Sequence, residues 1–466
     1  MSEGGSWVTH RFDPTILREY DIRGIVGETL HEADARALGR AYSAMLQEAG
    51  GKRVAIGRDG RLSSPALEAA LVEGLVASGT DVVRIGIGPT PMLYFAAHTL
   101  DVDGAIMVTG SHNPGTHNGF KLMLGKKSVY GEAIKKLGAI AAAGRFPVGS
   151  GRVEQHAVME AYVARLLQDY QGAKPLRVAW DSGNGAAGDV LKLLVAKLPG
   201  RHVLLNETID GNFPAHHPDP TEPENLVQLQ DAVQKGGMDL GIAFDGDADR
   251  IGVVDGKGNI LWGDQLLSVL ASEVIRNQPG AMIIADVKAS QVLFDEVTRM
   301  GGKPLMWRTG HSLIKSKMAE TGAPLAGEMS GHVFYADRYY GYDDALYAAI
   351  RLLGILSRGD ETLAQFREKL PVVINTPELR IPCADQRKFG VIEEVRERLR
   401  QSGATVSDID GVRVTTEEGW WLLRASNTQA VIVGRVEARD RAGLEKLQEQ
   451  LSEQLRASGV TPPNFA

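Results

Sequence analysis

The sequence predicts an α/β protein of several domains, closed by an α+β module. Three observations carry this reading. Short apolar runs alternate with helix-patterned segments over most of the chain, which implies parallel sheets joined by right-handed crossovers. The C-terminal part breaks that alternation with consecutive strand-like runs. A length of 466 residues suggests about three domains, with about two to four compatible.

The elements follow in order. "EADARALGRAYSAMLQEAG" sets Leu38, Tyr42 and Met45 at helical spacing. "RVAIG" (53–57) reads as a strand, "PALEAALVEGLVASG" as a helix and "VVRIG" as the next strand. "GAIMV" (104–108) is strand-like and feeds into "VTGSHNPGTHNGFK" (108–121). The Gly and Asn content there predicts an exposed loop with unusual backbone freedom, at the carboxyl end of a strand, where α/β proteins carry their chemistry. The cadence returns in "LRVAW", "HVLLN", "DLGIAF", "AMIIAD", "KPLMW" and the helix-like "HSLIKSKMAETG". After "LPVVINTPELRIPC" come a helix, the strand-like "GVRVTT", "GWWLLRAS" and "QAVIVGRVEA", and a final charged helix. Breaks near 156, 259 and 371 divide the chain into 1–156, 157–259, 260–371 and 372–466. The similar size of the first three suggests an old triplication.

The net charge of −7 and pI near 5.9 argue against a general nucleic-acid binder and leave anionic small molecules open. A single cysteine, Cys383, excludes an internal disulfide and a Cys-based zinc site. The N-terminus lacks the apolar core of a signal peptide, and no run of about 18 apolar residues occurs. The expectation is a soluble cytoplasmic protein without nucleic-acid or membrane partners.

Chemistry is suggested first by "AFDGDADRIGVV" (243–254). Asp245, Asp247 and Asp249 are spaced two apart, so an extended backbone would point all three carboxylates to one side. Such carboxylates repel unless a hard cation joins them, and Mg²⁺ prefers oxygen ligands. An EF-hand is excluded, because Arg250 and Gly256 stand where it needs Gly and Glu. A phosphate, on a substrate or on the protein, would complete the site. Ser111 lies outside a G-x-S-x-G elbow, since Thr109 and Asn113 flank it. A phosphorylated Ser111 would instead lean on loop amides and a metal, with Lys121 serving that charge or moving a proton.

"TGSHNP", "DGDADR", "GEMSGH" and "RASNT" occur in this order with long spacings. Together they resemble the α-D-phosphohexomutases, closest to the bacterial dual-specificity phosphomannomutase/phosphoglucomutase branch, over essentially the whole chain. The resemblance implies four domains around a central cleft: three related α/β domains with mixed sheets, and a mobile C-terminal α+β domain. It implies reversible interconversion of hexose 1-phosphates and 6-phosphates, with mannose and glucose as leading sugars. Ser111 would be phosphorylated at rest, and a 1,6-bisphosphate of glucose or mannose would be the intermediate. Mg²⁺ would sit on Asp245, Asp247, Asp249 and the phosphate of Ser111.

Arg23, His112, Lys121 and His311 become candidates for the chemical step. Tyr20, Arg250, Lys288, Gly310, His311, Glu328, Ser330 and His332 become candidates for the sugar and its phosphate. Arg424, Ser426, Asn427 and Thr428 match the phosphate-binding loop. Small sugar phosphates are the expected partners, and a monomer is favoured over a dimer. Ala248 replaces the family's Gly in the metal loop; at positive φ it would cost about 1 kcal/mol. Gln429 and Ala430 depart from the usual continuation of the phosphate loop, which leaves that loop's stiffness open. A phosphoglucosamine mutase and a non-catalytic sugar-phosphate binder are the alternatives.

Arg58 and Arg61 in "GRDGRLSS" (57–64) fit an anion cradle, and Arg61 fits a structural salt bridge equally well. His216 and His217 sit in a proline-rigid loop without a third metal ligand. "GWW" (419–421) reads as core or hinge packing.

Overall fold

A computed structural model of the chain describes residues 9–427 and 429–465. Four sheets organise it. The first runs in the order Ile22–Ile25, His117–Leu124, Gly104–Val108, Arg53–Arg58, Asp81–Ile87 and Val153–Gln155, with Lys127–Ser128 paired beside His117–Leu124. The second runs Ile260–Leu261, Ile251–Asp255, Leu240–Phe244, Leu176–Asp181 and Gly200–Leu205. The third runs Lys303–Trp307, Met282–Asp286, Leu325–Gly327 and Val333–Tyr335. Helices such as Glu32–Glu48, Ser64–Ala77, Gly263–Asn277 and Ala345–Arg358 cover these sheets with buried faces.

The expectation of parallel sheets is corrected here: each of the three is mixed. Parallel strands fill the interior, and an antiparallel strand returns beside one of them. The return strand explains a second correction. Residues 108–121 are not one exposed loop, because the turn ends at Thr116 and His117–Leu124 is a strand wedged between Gly104–Val108 and Ile22–Ile25. Asn118 and Lys121 are consequently buried.

The fourth sheet is wholly antiparallel. Val431–Ala438 pairs with Gly419–Ala425, Ile374–Asn375 and Leu379–Pro382, and Val412–Thr415 and Val406–Ser407 follow beyond Gly419–Ala425. Helices Asp385–Ser402 and Arg441–Ala457 close its own core around Trp421 and Leu447.

One rule now places all four motifs. The segments 109–116, 245–250 and 328–332, and the described residues 426–427 and 429–430, each belong to the connection between adjacent antiparallel strands. Such turns need Gly, Asn, Asp and Ser, which is why the motifs look as they do.

The last sheet docks on the third through cations and an indole. The Arg413 guanidinium stacks 3.7 Å from the Trp420 ring centroid and donates to the carbonyls of Val287 and Ala289 at 2.7 and 2.8 Å. Trp420 Nε1 and the Gln291 amide both donate to Glu437 Oε1. Trp420 therefore packs between sheets while Trp421 enters the C-terminal core, in line with the packing reading of "GWW".

Candidate active site

Ser111 stands on a left-handed backbone, φ 49°, and is 2% exposed. Its amide donates to Thr109 Oγ1 at 2.9 Å, and its Oγ donates to Asp245 Oδ2 at 3.0 Å. His112 Nδ1 lies 3.3 Å from the same Oγ. The turn that carries Ser111 is stapled from below by Arg61. That fully buried guanidinium donates to the carbonyls of Ser111, Asn113, Pro114 and His117 at 2.7, 2.5, 2.6 and 3.0 Å, and to Asp59 at 3.1 Å. Arg58 pairs with Glu68. For Arg61 the balance between cradle and scaffold falls to scaffold, because its donors are taken up by protein acceptors. Arg23 adds a second clamp, donating to Gly110 O at 3.0 Å and to Asn113 Oδ1 at 2.5 Å while pairing with Asp21.

Asp245, Asp247 and Asp249 are each 0% exposed and bring one carboxylate oxygen apiece within 4.8 Å of the others. The convergence arises differently from the expected extended run. Ala248 takes φ 57° and its amide closes a turn on Asp245 O at 3.0 Å, so the backbone bends the carboxylates together. Lys121 Nζ donates to Asp247 Oδ2 at 2.7 Å and also pairs with Asp249. Thr90 holds Asp247 twice, by amide to carbonyl at 2.9 Å and by hydroxyl to carboxylate at 2.5 Å.

Charge is crowded here. Burial, then the neighbouring carboxylates, pushes Asp245 far above the usual carboxylate range. Burial acts on Asp249 in the same sense, but Lys121 and His332 outweigh it and hold that carboxyl low. Asp247 Oδ1 is buried with no hydrogen-bond partner among the described residues. A set of hard oxygen donors with an orphaned carboxylate oxygen fits a divalent cation such as Mg²⁺.

The opposite wall is built by the third sheet. The 328–332 turn is tight: the Glu328 amide donates to His332 O at 2.9 Å and Gly331 has φ 89°. Glu328 Oε1 accepts the Gly310 amide at 2.6 Å, and Glu328 Oε2 lies 3.1 Å from His332 Nδ1. Ser330 Oγ shares a 2.9 Å hydrogen bond with that same Nδ1. Although burial opposes it, His332 is lifted to about 9, chiefly by Asp249, 3.3 Å from its Nε2. His311 opens the helix His311–Thr321 and stacks 5.7 Å from His332. Burial, then Lys315, pushes His311 well below its ordinary value. Burial, then Arg250, does the same to His112. Arg250 lies beside the carboxylates, its amide donating to Asp245 Oδ1 at 3.1 Å, and its Nε is buried without a hydrogen-bond partner among the described residues.

Lys288 is buried and paired with Glu378 at 2.9 Å. Tyr20 donates to Thr309 O at 2.9 Å and accepts from Asn427 Nδ2 at 2.7 Å, and burial raises its phenol to about 12. Arg424 donates through Nε to Asp410 at 3.0 Å. Ser426 Oγ accepts the Gln429 amide at 3.2 Å. Gln429 is itself tied down, by Lys388 through its carbonyl and by Arg380 through its side chain, and the second of these anchors depends on the glutamine side chain. Thr428 lies outside the described residues.

Sequence reasoning missed Thr90, Asp343, Lys315, Thr309, Asp286 and Asp410. Asp343 is fully buried, held by Lys315 at 2.9 Å, and its Oδ2 lies 3.6 Å from His311 Nδ1. Together with Asp249 and His332 it forms a second group of clustered ligand atoms. The i,i+4 spacing of His311 and Lys315 was the one local signal available for these. His216 Nε2 pairs with Asp181 at 2.8 Å.

Comparison with known proteins decides the family. Phosphoglucomutase/phosphomannomutase domain models match in sequence: alpha/beta/alpha domain I over residues 14–147, domain II over 160–258, domain III over 262–373 and the C-terminal domain over 378–454. The chain belongs to the phosphoglucomutase/phosphomannomutase family. A phosphomannomutase/phosphoglucomutase of Pseudomonas aeruginosa is 44% identical over 449 residues, covering 96% of this chain and 97% of that one. A phosphoglucomutase of Neisseria gonorrhoeae is 44% identical over 439 residues, 93% of this chain and 95% of that one. The crystal structure of a phosphoglucomutase/phosphomannomutase family protein from Burkholderia thailandensis superposes with a TM-score of 0.91 at 45% identity, covering 96% and 98% of the two chains. As in that family, the first three sheets here are α/β and mixed and the fourth closes the chain. No helix among the described residues is long and apolar enough to cross a membrane.

Proposed function

We propose that this phosphohexomutase interconverts hexose 1-phosphates and 6-phosphates, with both mannose and glucose as substrates, through phosphorylated Ser111 and a 1,6-bisphosphate intermediate. The observation that carries the reading is the bond from Ser111 Oγ to Asp245 Oδ2 at 3.0 Å, which brings a hydroxyl nucleophile onto a buried acidic trio. In the forward half, the free hydroxyl of a bound monophosphate attacks the phosphorus on Ser111. Its O–P bond forms, the Ser111 O–P bond breaks and Ser111 leaves as the alkoxide or alcohol. The bisphosphate then turns, and Ser111 Oγ attacks the phosphorus of its other phosphate: the Ser111 O–P bond forms, the sugar O–P bond breaks, and the sugar oxygen leaves as the hydroxyl of the product monophosphate.

Protonation states divide the roles. For the return step, the Ser111 proton has acceptors in reach at Asp245 Oδ2 and at His112 Nδ1, a ring held neutral by burial. His311, likewise held neutral, is suited to take the proton of the attacking sugar hydroxyl. Lys121, an ammonium between two carboxylates, is suited to donate rather than accept. Asp245, Asp247 and Asp249 would hold Mg²⁺, which when bound neutralises charge on the transferring phosphoryl group. Glu328, Ser330 and His332 would read sugar hydroxyls. Arg424, Ser426, Asn427 and Thr428 would bind the phosphate remote from Ser111, aided by Tyr20, Lys288 and Gly310. Arg23 and Arg250 would face the transferring group. On this reading the chain works as a cytoplasmic monomer in which the C-terminal unit swings about a hinge near residue 371, where Val372 is 88% exposed.

A non-catalytic binder would have no use for a serine poised on a carboxylate. A coupled assay with mannose 1-phosphate, glucose 1-phosphate and glucosamine 1-phosphate tests the proposal. Turnover of the first two that EDTA abolishes is expected; turnover of glucosamine 1-phosphate alone would move the chain to the amino-sugar branch.

A further inference from the structure

Arg424 sits 5% exposed at the end of a strand, and one of its three nitrogens is engaged: Nε donates to Asp410 Oδ2 at 3.0 Å. Its Nη atoms have no hydrogen-bond partner among the described residues. The carboxylate thus grips the rear of the guanidinium and leaves the fork that a phosphate accepts from. The turn bearing Asp410 is pressed onto this strand by Gly411, which has φ 81° and where a Cβ would lie 2.6 Å from Arg424 Cβ.

The same Asp410 Oδ2 accepts the main-chain amide of Thr309 at 3.0 Å. Thr309 spends its other polar groups on two further partners. Its carbonyl accepts from Tyr20 Oη at 2.9 Å, and its hydroxyl donates to Asp286 Oδ2 at 3.3 Å. Asp286 Oδ1 in turn accepts the Met329 amide at 3.4 Å, and the next peptide, Gly310, donates to Glu328 at 2.6 Å. Asn427 returns the chain of bonds to Tyr20 at 2.7 Å. Asn427, Tyr20, Thr309, Asp410 and Arg424 form a chain of hydrogen bonds, closed into a ring by the backbone from Arg424 to Asn427, that joins segments beside the first, third and fourth sheets.

We infer that Asp410 is a positioning residue for the mutase reaction: it aims Arg424 at the substrate phosphate and couples that arginine, through the main chain of Thr309, to the sugar-facing turn at 328–332. The inference rests on the functional reading above for the identity of the phosphate's owner. A bare counterion would do the opposite, since a carboxylate that merely neutralises Arg424 competes with phosphate. The two roles therefore differ in sign.

Inorganic phosphate titrated calorimetrically into the full chain measures that sign without turnover. Asp410→Ala should weaken phosphate binding about tenfold and raise KM for both hexose phosphates more than it lowers kcat, as expected for loss of one charge-assisted hydrogen bond. Asp410→Asn, which keeps an acceptor oxygen for Nε and for the Thr309 amide, should recover most of the loss. Asp410→Glu, which keeps the charge but displaces it, should not. Phosphate should slow amide exchange at residues 308–310 in the native chain and not in Asp410→Ala. Unchanged or tighter phosphate binding in Asp410→Ala at native thermal stability would overturn the inference. So would Asp410→Glu binding phosphate like the native chain, a comparison that stands if the alanine variant fails to fold. Absence of hexose-phosphate turnover in the native chain would instead overturn the functional reading, and the phosphate titration would still decide Asp410.

Discussion

Ser111 Oγ and Asp245 Oδ2 are 3.0 Å apart although 134 residues separate them. Each sits in the turn of a hairpin from a different sheet, so the contact exists only when the first two α/β units are docked. Ser111→Ala should therefore lose at least about a thousandfold in kcat, because no phosphoryl carrier remains, with the circular dichroism spectrum of the native fold. Phosphopeptide mass spectrometry should find phosphate on Ser111 in the native chain, and a variant with native steady-state rates would exclude the phosphoserine route.

Arg61→Lys tests scaffold against cradle. An ammonium cannot span four carbonyls that a guanidinium reaches. Buried carbonyls left unpaired cost about 1–3 kcal/mol each, so chemical denaturation should show a loss of about 2–4 kcal/mol. The affinity for inorganic phosphate should stay within about twofold; a large loss of phosphate affinity at native stability would restore the cradle.

Ala248 holds φ 57° yet is fully buried in the main core. Left-handed backbone costs Ala about 1 kcal/mol relative to Gly, while its buried methyl returns about 0.8 kcal/mol. Ala248→Gly should consequently fall within about 0.5 kcal/mol of the native chain by urea unfolding. Ala248→Val, β-branched at positive φ with no space, should lose more than about 2 kcal/mol. A strongly stabilising glycine would mean that the methyl packs against little.

Asp344 accepts hydrogen bonds from Tyr162, Tyr339 and the Tyr347 amide, and burial raises it to about 6. The unfolded chain releases that proton near the ordinary value of about 4. Between these values the folded state binds the extra proton. The stability of the native chain relative to Asp344→Asn should therefore rise as pH falls from about 7 to about 5, by an amount on the order of 1–3 kcal/mol. Paired melting curves across that range would check it, and a gap independent of pH would mean that Asp344 ionises freely in the folded state.

How far the sequence can be read follows from where the information sits. The four motif turns were legible because hairpin turns need Gly, Asn, Asp and Ser at fixed places, and "TGSHNP", "DGDADR", "GEMSGH" and "RASNT" supply them. The mixed sheets were not legible from pattern, since an antiparallel return such as Ile251–Asp255 has the same apolar pattern as the parallel strand Leu240–Phe244 beside it. His117–Leu124 was hidden by its polar start, "HNG", whose Asn118 is buried against Ser63 and Ser64. Within the site, residues carried by motifs came through. Asp343, Asp286, Thr309 and Asp410 did not, because each owes its place to partners on other elements and leaves no periodic trace.

The ring through Thr309 has one further consequence. Two of the three hydrogen bonds of Thr309 are made by peptide atoms, a carbonyl that every residue type provides and an N–H that only proline lacks. A saturation scan at position 309 would consequently report broad tolerance, with proline as the sharp exception, although the position joins three sheets. Proline aside, its importance would stay hidden from side-chain substitution and would surface in experiments that edit the backbone, such as replacing the amide at 309 with an ester.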